Sequence, residues 1–270
     1  MTPTSTTQDT DFPYWLVAVC IIGAIIAYVI FTNDIYAQVM SKLKNGITTT
    51  IFVALIGFIF ASAIGLGLAL MGLSRFIALR QLSRFYIEII RGVPIIVLLF
   101  YIAFAAAPGI VWFGNIITTP LQAAGIMGEI TIRDFSLFWR AVFALMIGYS
   151  AFIAEIFRAG ILSVDKGQIE AAKALGLSGW QRFRLVVFPQ AIRTILPPLG
   201  NDFVAMVKDS SLVSVLGVAD VTQLGKVYAA GSFRYLETYS IVAYVYLILT
   251  IGLSLMLRAL ERRLRQSQQR

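Results

Sequence analysis

Two carboxylates, Asp202 and Asp209, stand seven residues apart in a long apolar segment, with Lys208 beside the second. On a helix of 3.6 residues per turn that spacing is two turns less about 20°, so both acids share one face and line one wall. A charge at the centre of a spanning helix costs roughly 2.5–3.5 kcal/mol on insertion scales, so this group is not expected to face lipid. Pro197, Pro198 and Gly200 predict a break in the helix just before Asp202. Irregular backbone at membrane depth is tolerated only against protein or a water-filled cavity, so the break and the acids together point to a pathway for polar solutes. The bland alternative is a structural ion pair in which Lys208 meets an acid of another span. Glu155 and Arg158, one turn apart, read as a local ion pair rather than ligands.

Composition excludes most other chemistry. The 270 residues are 59% hydrophobic and only 13% charged, whereas a soluble domain carries about a quarter of its residues charged. There is no histidine, which removes His-ligated zinc, a Ser–His pair and a haem held by a proximal His. The single cysteine, Cys20, cannot form an intrachain disulfide and reads as a small hydrophobe in an apolar run. A net charge of +8 need not mean nucleic acid, because cytoplasmic loops of membrane proteins collect lysine and arginine.

A hydrocarbon core about 30 Å thick needs roughly 20 apolar helical residues. Windows of that kind run over residues 14–31, 47–73, 85–107, 138–162, 191–218 and 238–257. Residues 74–91 hold Arg75, Arg80, Arg84 and Arg91 against Glu88, residues 163–190 sum to +2, and the C-terminal stretch with Arg258, Arg262, Arg263, Arg265 and Arg270 sums to +4. These three are predicted inside, and the near-neutral loops 108–137 and 219–237 outside. Six spans then place both termini inside. The N-terminal tail, residues 1–13, carries only Asp9 and Asp11, and the following linker carries Lys42 and Lys44, which conflicts with that topology unless the first span is absent, re-entrant or tolerant of acids inside.

Small residues cluster in the second window, with Ala61 and Gly65 spaced for close approach of another helix. Pro94, after Arg91-Gly92-Val93, marks a helix start. The cytoplasmic loop 163–190 reads as a folded hairpin. Gln168–Leu175 makes two helical turns stopped by Gly176, and Ser178-Gly179-Trp180-Gln181 has the spacing of a capping box that opens a short helix ending before Pro189. Such a hairpin is either a structural connection or a surface for docking on a partner.

Glu170-Ala171-Ala172, then Gly176, then Val186-Val187-Phe188-Pro189 resembles the EAA loop of bacterial ABC-importer permeases, with Val and Phe in place of the usual Ile and Leu. Residues 86–94 (YIEIIRGVP), 154–161 (AEIFRAGI), 166–168 (KGQ), 197–201 (PPLGN) and 208–215 (KDSSLVSV) are similar to the polar amino-acid permeases, the His/Glu/Gln/Arg/opine group. The likeness spans about residues 42–264 and leaves the first window outside it. It implies an all-α, polytopic membrane protein with a five-span permease core, residues 42–264, preceded by one additional N-terminal span and linker, residues 14–41, and followed by a basic tail, residues 265–270.

The resemblance further implies a bacterial inner-membrane importer subunit with a cytoplasmic C-terminus, working with two cytoplasmic ABC ATPases, a second permease chain of the same or a sister kind, and an external solute-binding protein. No phosphate-cradling G-x-x-x-x-G-K-[ST] occurs, so this chain is expected to bind no cofactor itself, with ATP and Mg on the partner ATPase. Glu170, Ala171, Ala172 and Gly176 become the ATPase-coupling residues. Asp202, Asp209, Ser210 and Ser211 become the substrate-binding positions. An amino acid brings an ammonium that one carboxylate can hold, and a second acid favours a cationic or amide side chain, hence basic amino acids or glutamine. The competing expectation is an ATP-independent secondary carrier or channel, in which the hairpin would have no purpose.

Overall fold

The computed structural model describes residues 14–266, with side chains through 262. The expected tail, residues 1–13, and residues 267–270 lie outside the described residues. Among the described residues every regular element is helical.

Helix α1 (Tyr14–Thr32) is a 19-residue apolar helix, about 28 Å long, which matches the hydrocarbon thickness. Asn33 alone separates it from α2 (Asp34–Gly72), and its extended backbone and side-chain oxygen, which accepts from the Ile35 N–H, cap the new helix. The linker expected around Lys42 and Lys44 is therefore helix, with both lysines exposed on α2. The guanidinium of Arg258 lies 5.7 Å from the Trp15 ring, and a methyl built on Gly23 would lie 4.0 Å from the Tyr244 ring. Trp15 pairing with the late residue and Gly23 with the early one means that α1 runs antiparallel to α11 (Tyr235–Gln266). The start of the first span thus shares a side with the end of the last, as six crossings require.

The window 85–107 is not one span. Helix α3 (Ile77–Gly92) ends at Val93, held extended by Pro94, which opens α4 (Ile95–Phe100) and whose carbonyl accepts from the N–H groups of Val97 and Leu98. A π-helical stretch, Tyr101–Ala106, then leads into α5 (Ala107–Ala123), with Pro108 in the first turn where its missing N–H is harmless. The helix outlasts the apolar window, and the loop predicted over 108–137 shrinks to residues 124–136.

The central helix is α6 (Leu137–Leu162), and its pairing with α2 is the most extensive in the molecule. Small residues explain it, as the spacing predicted. Ala61 is fully buried, and a Cβ on Gly65 would sit 2.9 Å from Ile153 Cγ2 and 3.0 Å from the backbone of Ser150 and Ala154. The two backbones approach as closely as this only because Gly65 has no side chain.

Helix α7 (Lys166–Ala174) ends as expected at Gly176, whose φ of +75° lets Leu177 N–H reach the Ala172 carbonyl and Gly176 N–H reach the Lys173 carbonyl. The capping box also forms, with Ser178 and Gln181 each satisfying the other's backbone N–H at the start of α8 (Gly179–Arg182). The helix does not end before Pro189. A π-turn, Phe183–Val187, carries it into α9 (Phe188–Asp209) through a Phe188 N–H to Phe183 carbonyl bond, and the widened turn delivers Pro189 at a helix start. Nor do Pro197 and Pro198 break α9. Proline's own φ is helical, so only its N–H is missing, and packing of α9 on α6 and α11 holds the rest. Irregularity falls after Asp209, where a 3₁₀ stretch, Ser210–Leu216, ends at Gly217 before α10 (Val221–Ser232). Among the described residues five helical segments are long and apolar enough to cross a membrane. The charged α9, 22 residues long, packs against three of them, α2, α6 and α11.

Gly65→Ala should lower the thermal midpoint of the detergent-solubilised protein, by an overpacking cost of about 1–3 kcal/mol. Gly67→Ala, with nothing within 4 Å of the new methyl, should be neutral or stabilising. Equal midpoints for the two variants would show that the close α2–α6 contact does not limit stability.

Candidate functional site

The acid wall forms where α9 meets α6. Tyr149 is the thirteenth of the 26 residues of α6, hence near mid-span, and its hydroxyl donates to Asp209 Oδ2 at 2.8 Å. Asp202 lies about 10 Å further down α9 by helical rise, within electrostatic reach of the same tyrosine. Both aspartates are half-buried. Asp202 Oδ2 is shielded from solvent yet accepts no hydrogen bond among the described residues. A buried acceptor left unpaired costs about 1–3 kcal/mol, so this oxygen is poised for a donor.

The neighbouring polar groups divide sharply. Lys208 is exposed and makes no salt bridge among the described residues, where the structural ion pair considered for it is therefore not formed. Ser210 is fully buried and its hydroxyl donates to the Val207 carbonyl at 2.7 Å, turned back onto its own helix, whereas Ser211 is half-buried. Glu155 and Arg158 form the local ion pair expected of them, at 2.6 Å. Tyr149 was not singled out from sequence, where one hydroxyl within an apolar span reads as packing.

A second polar cluster escaped the sequence entirely. Asp220, counted there as an outer-loop charge, is fully buried at the start of α10, where it accepts from the Gln223 N–H at 2.8 Å and the Tyr246 hydroxyl at 3.0 Å. The next N–H, of Val221, donates to Thr50 on α2 at 3.3 Å. A Cβ on Gly46 would collide with the Asp220 backbone at 2.6 Å, so α2 carries a glycine where α10 begins.

On the hairpin, Glu170, Ala171 and Gly176 are exposed, while Ala172 is buried where α7 packs on the π-turn. Ala172 therefore serves the hairpin's own packing. The exposed surface is apolar as well as acidic, since Leu175 and Trp180 are 80% and 68% exposed. Asp165 caps α7 by accepting from the Gln168 N–H, and the Gln168 side chain accepts from Gln190, tying the hairpin to the start of α9. The Trp180 and Phe183 rings stack at 5.9 Å across the junction.

Comparison with known proteins places this arrangement. Residues 61–266 match the family described as binding-protein-dependent transport system inner membrane component. The glutamine transport system permease protein of Escherichia coli K12 is 40% identical over 227 residues, covering 83% of this chain and 93% of that one. A probable amino-acid permease protein of Bacillus subtilis is 37% identical over 220 residues, covering 82% and 90%. The crystal structure of an amino acid ABC transporter with histidines superposes with a TM-score of 0.70 at 36% identity, over 84% of this chain and 96% of that one. An inward-facing methionine ABC transporter shares the fold, with a TM-score of 0.63 at 22% identity over 83% and 97%. The helices, the span order and the match over most of the chain agree: this protein belongs to the binding-protein-dependent transport system inner membrane component family, as a multi-pass permease subunit of an ABC transporter.

Proposed function

We propose that the chain is the translocation subunit of an ATP-driven importer for polar amino acids, with basic amino acids or glutamine as substrates. The observation that carries this reading is the unpaired, buried Oδ2 of Asp202 beside the Tyr149–Asp209 pair. An α-ammonium on one carboxylate and a guanidinium, ammonium or amide N–H on the other would satisfy both acids, each contact worth about 1.5–3 kcal/mol. Ser211 adds a hydroxyl at the edge, and Ser210 shapes the end of α9. The likeness to a glutamine permease at 40% identity and to a transporter crystallised with histidines supports the same substrate class.

Transport needs a motor. In this reading two cytoplasmic ATPases, which hold the ATP and Mg, receive the hairpin, with Glu170 as an anchor and Ala171 and Gly176 permitting close approach. A second permease chain, the same or a sister, completes the pathway, and an external solute-binding protein delivers substrate. The C-terminus is cytoplasmic, following the arginines at residues 258–270. Movement of the ATPases rocks the spans so that the acid wall faces each side in turn.

ATP-dependent uptake into proteoliposomes carrying the permease–ATPase complex and its binding protein tests the site. Arginine, lysine, histidine or glutamine should be taken up, and Asp202→Asn and Asp209→Asn should each weaken that uptake by about 10–100-fold in apparent affinity. Uptake of acidic amino acids alone would discard the substrate class, and uptake without ATP would favour a secondary carrier.

The hairpin is tested separately. Glu170→Ala should leave substrate binding in place while lowering ATP-driven uptake by about tenfold, the scale of one lost charge-assisted contact. Unchanged uptake together with unchanged ATPase co-purification would remove Glu170 from the coupling surface.

A further inference from the structure

Helix α3 has three distinct faces. One is bound to the bundle, where the Ser83 hydroxyl donates to the Leu68 carbonyl at 2.7 Å and Ile87 packs with Leu68, Ala151 and Ala154. A second is apolar and exposed, for Leu82 is 57% and Phe85 66% exposed, and Ala78 and Ile89 share their side within about 60° by helical rotation. The third is cationic. Arg80 and Arg84 lie within about 40° of each other and about 150° from the centre of the apolar face. Arg75 stands beside them in the turn after α2, over the exposed Phe76 ring at 4.9 Å.

The nearest acid on the helix, Glu88, is exposed one turn beyond Arg84 and forms no ion pair with it among the described residues. Arg80 Nη1 donates to the carbonyls of Ser74 and Arg75 at 3.0 Å each, which fixes its guanidinium at the turn. Arg91, further along the helix, is drawn instead over the Phe152 ring of α6 at 5.5 Å. Arg75 and Arg84 are exposed and Arg80 is half-buried, so the three form a cationic group at the end of a spanning helix, beside an exposed apolar strip. Hydrocarbon on one side and anions on the other meet at a membrane interface.

From this geometry we infer that α3 is an interfacial helix and that Arg75, Arg80 and Arg84 form a binding site for anionic phospholipid headgroups. Phe76, Leu82 and Phe85 take the adjoining acyl chains. A fork of guanidinium donors suits a phosphodiester, whereas a zwitterionic headgroup adds a cation that the arginines repel. Because α3 touches both α2 and α6, the lipid would be held against the two helices whose contact organises the bundle.

Native mass spectrometry of the permease, released with its associated subunits, tests this with phosphatidylglycerol and phosphatidylcholine of matched chains. Wild type should retain phosphatidylglycerol about tenfold in preference. Arg75→Gln/Arg84→Gln should lose that preference, while Arg75→Lys/Arg84→Lys should keep most of it and Arg258→Gln/Arg262→Gln all of it. Should the glutamine variant fail to assemble, wild type must lose the preference as salt rises from about 0.1 to about 0.5 M, because exposed charges are screened. Equal retention of the two lipids by wild type, or an unchanged preference in the glutamine variant, overturns the inference. So does a glutamine variant that sheds another subunit while its lipid retention stays the same, since the arginines would then bind an acidic protein surface.

Discussion

Asp202 and Asp209 put two carboxylates on a helix that must live among spanning helices, and an ionised acid facing hydrocarbon costs several kcal/mol. Much of the architecture can be read as the answer to that cost. Helix α9 packs against α6, α11 and α2, so Asp209 meets Tyr149 and both acids are half-buried. Close wrapping needs close backbones, which is why small residues stand at the contacts. Gly65 lies against α6, and Gly160 leaves the space that Ile195 of α9 occupies, where a Cβ would be 2.2 Å from its Cγ1. A bundle of larger residues would hold α9 further out and leave gaps around its charges.

Local chemistry was legible in the sequence where a few adjacent residues decide the outcome. Gly176 at a left-handed position, the Ser178–Gln181 box, Pro94 at a helix start and the Glu155–Arg158 pair all depend on neighbours within four positions. The proline punctuation was misread for the same reason turned round. Pro189 and the tandem Pro197–Pro198 weaken a helix locally, yet a π-turn before one and tertiary packing around the others keep the chain helical, and neither compensation is written near the prolines. The join at Asn33 was equally hidden, because one residue between two helices leaves no change in composition to notice.

The partners of both acid clusters lie far away in sequence. Tyr149 reaches Asp209 across 60 residues, and Asp220 reaches Tyr246 across 26. The acids themselves could be found because they are expensive in an apolar segment. A tyrosine is cheap there, so it carries no signal until the fold places its hydroxyl. Ser210 shows the converse, a residue of the right type and place whose hydroxyl is claimed by its own backbone.

Residues 179–209 run from the tip of the hairpin to the acid wall without a loop, through α8, the π-turn and α9. Such a segment carries no linker, and the places where it can bend are the π-turn and the tandem Pro197–Pro198. In the proposed mechanism a push or twist on Trp180 would reach Asp202 through continuous helix, so helix tilt and bending at those two places, not a flexible linker, would set how far the acids move for each displacement at the hairpin.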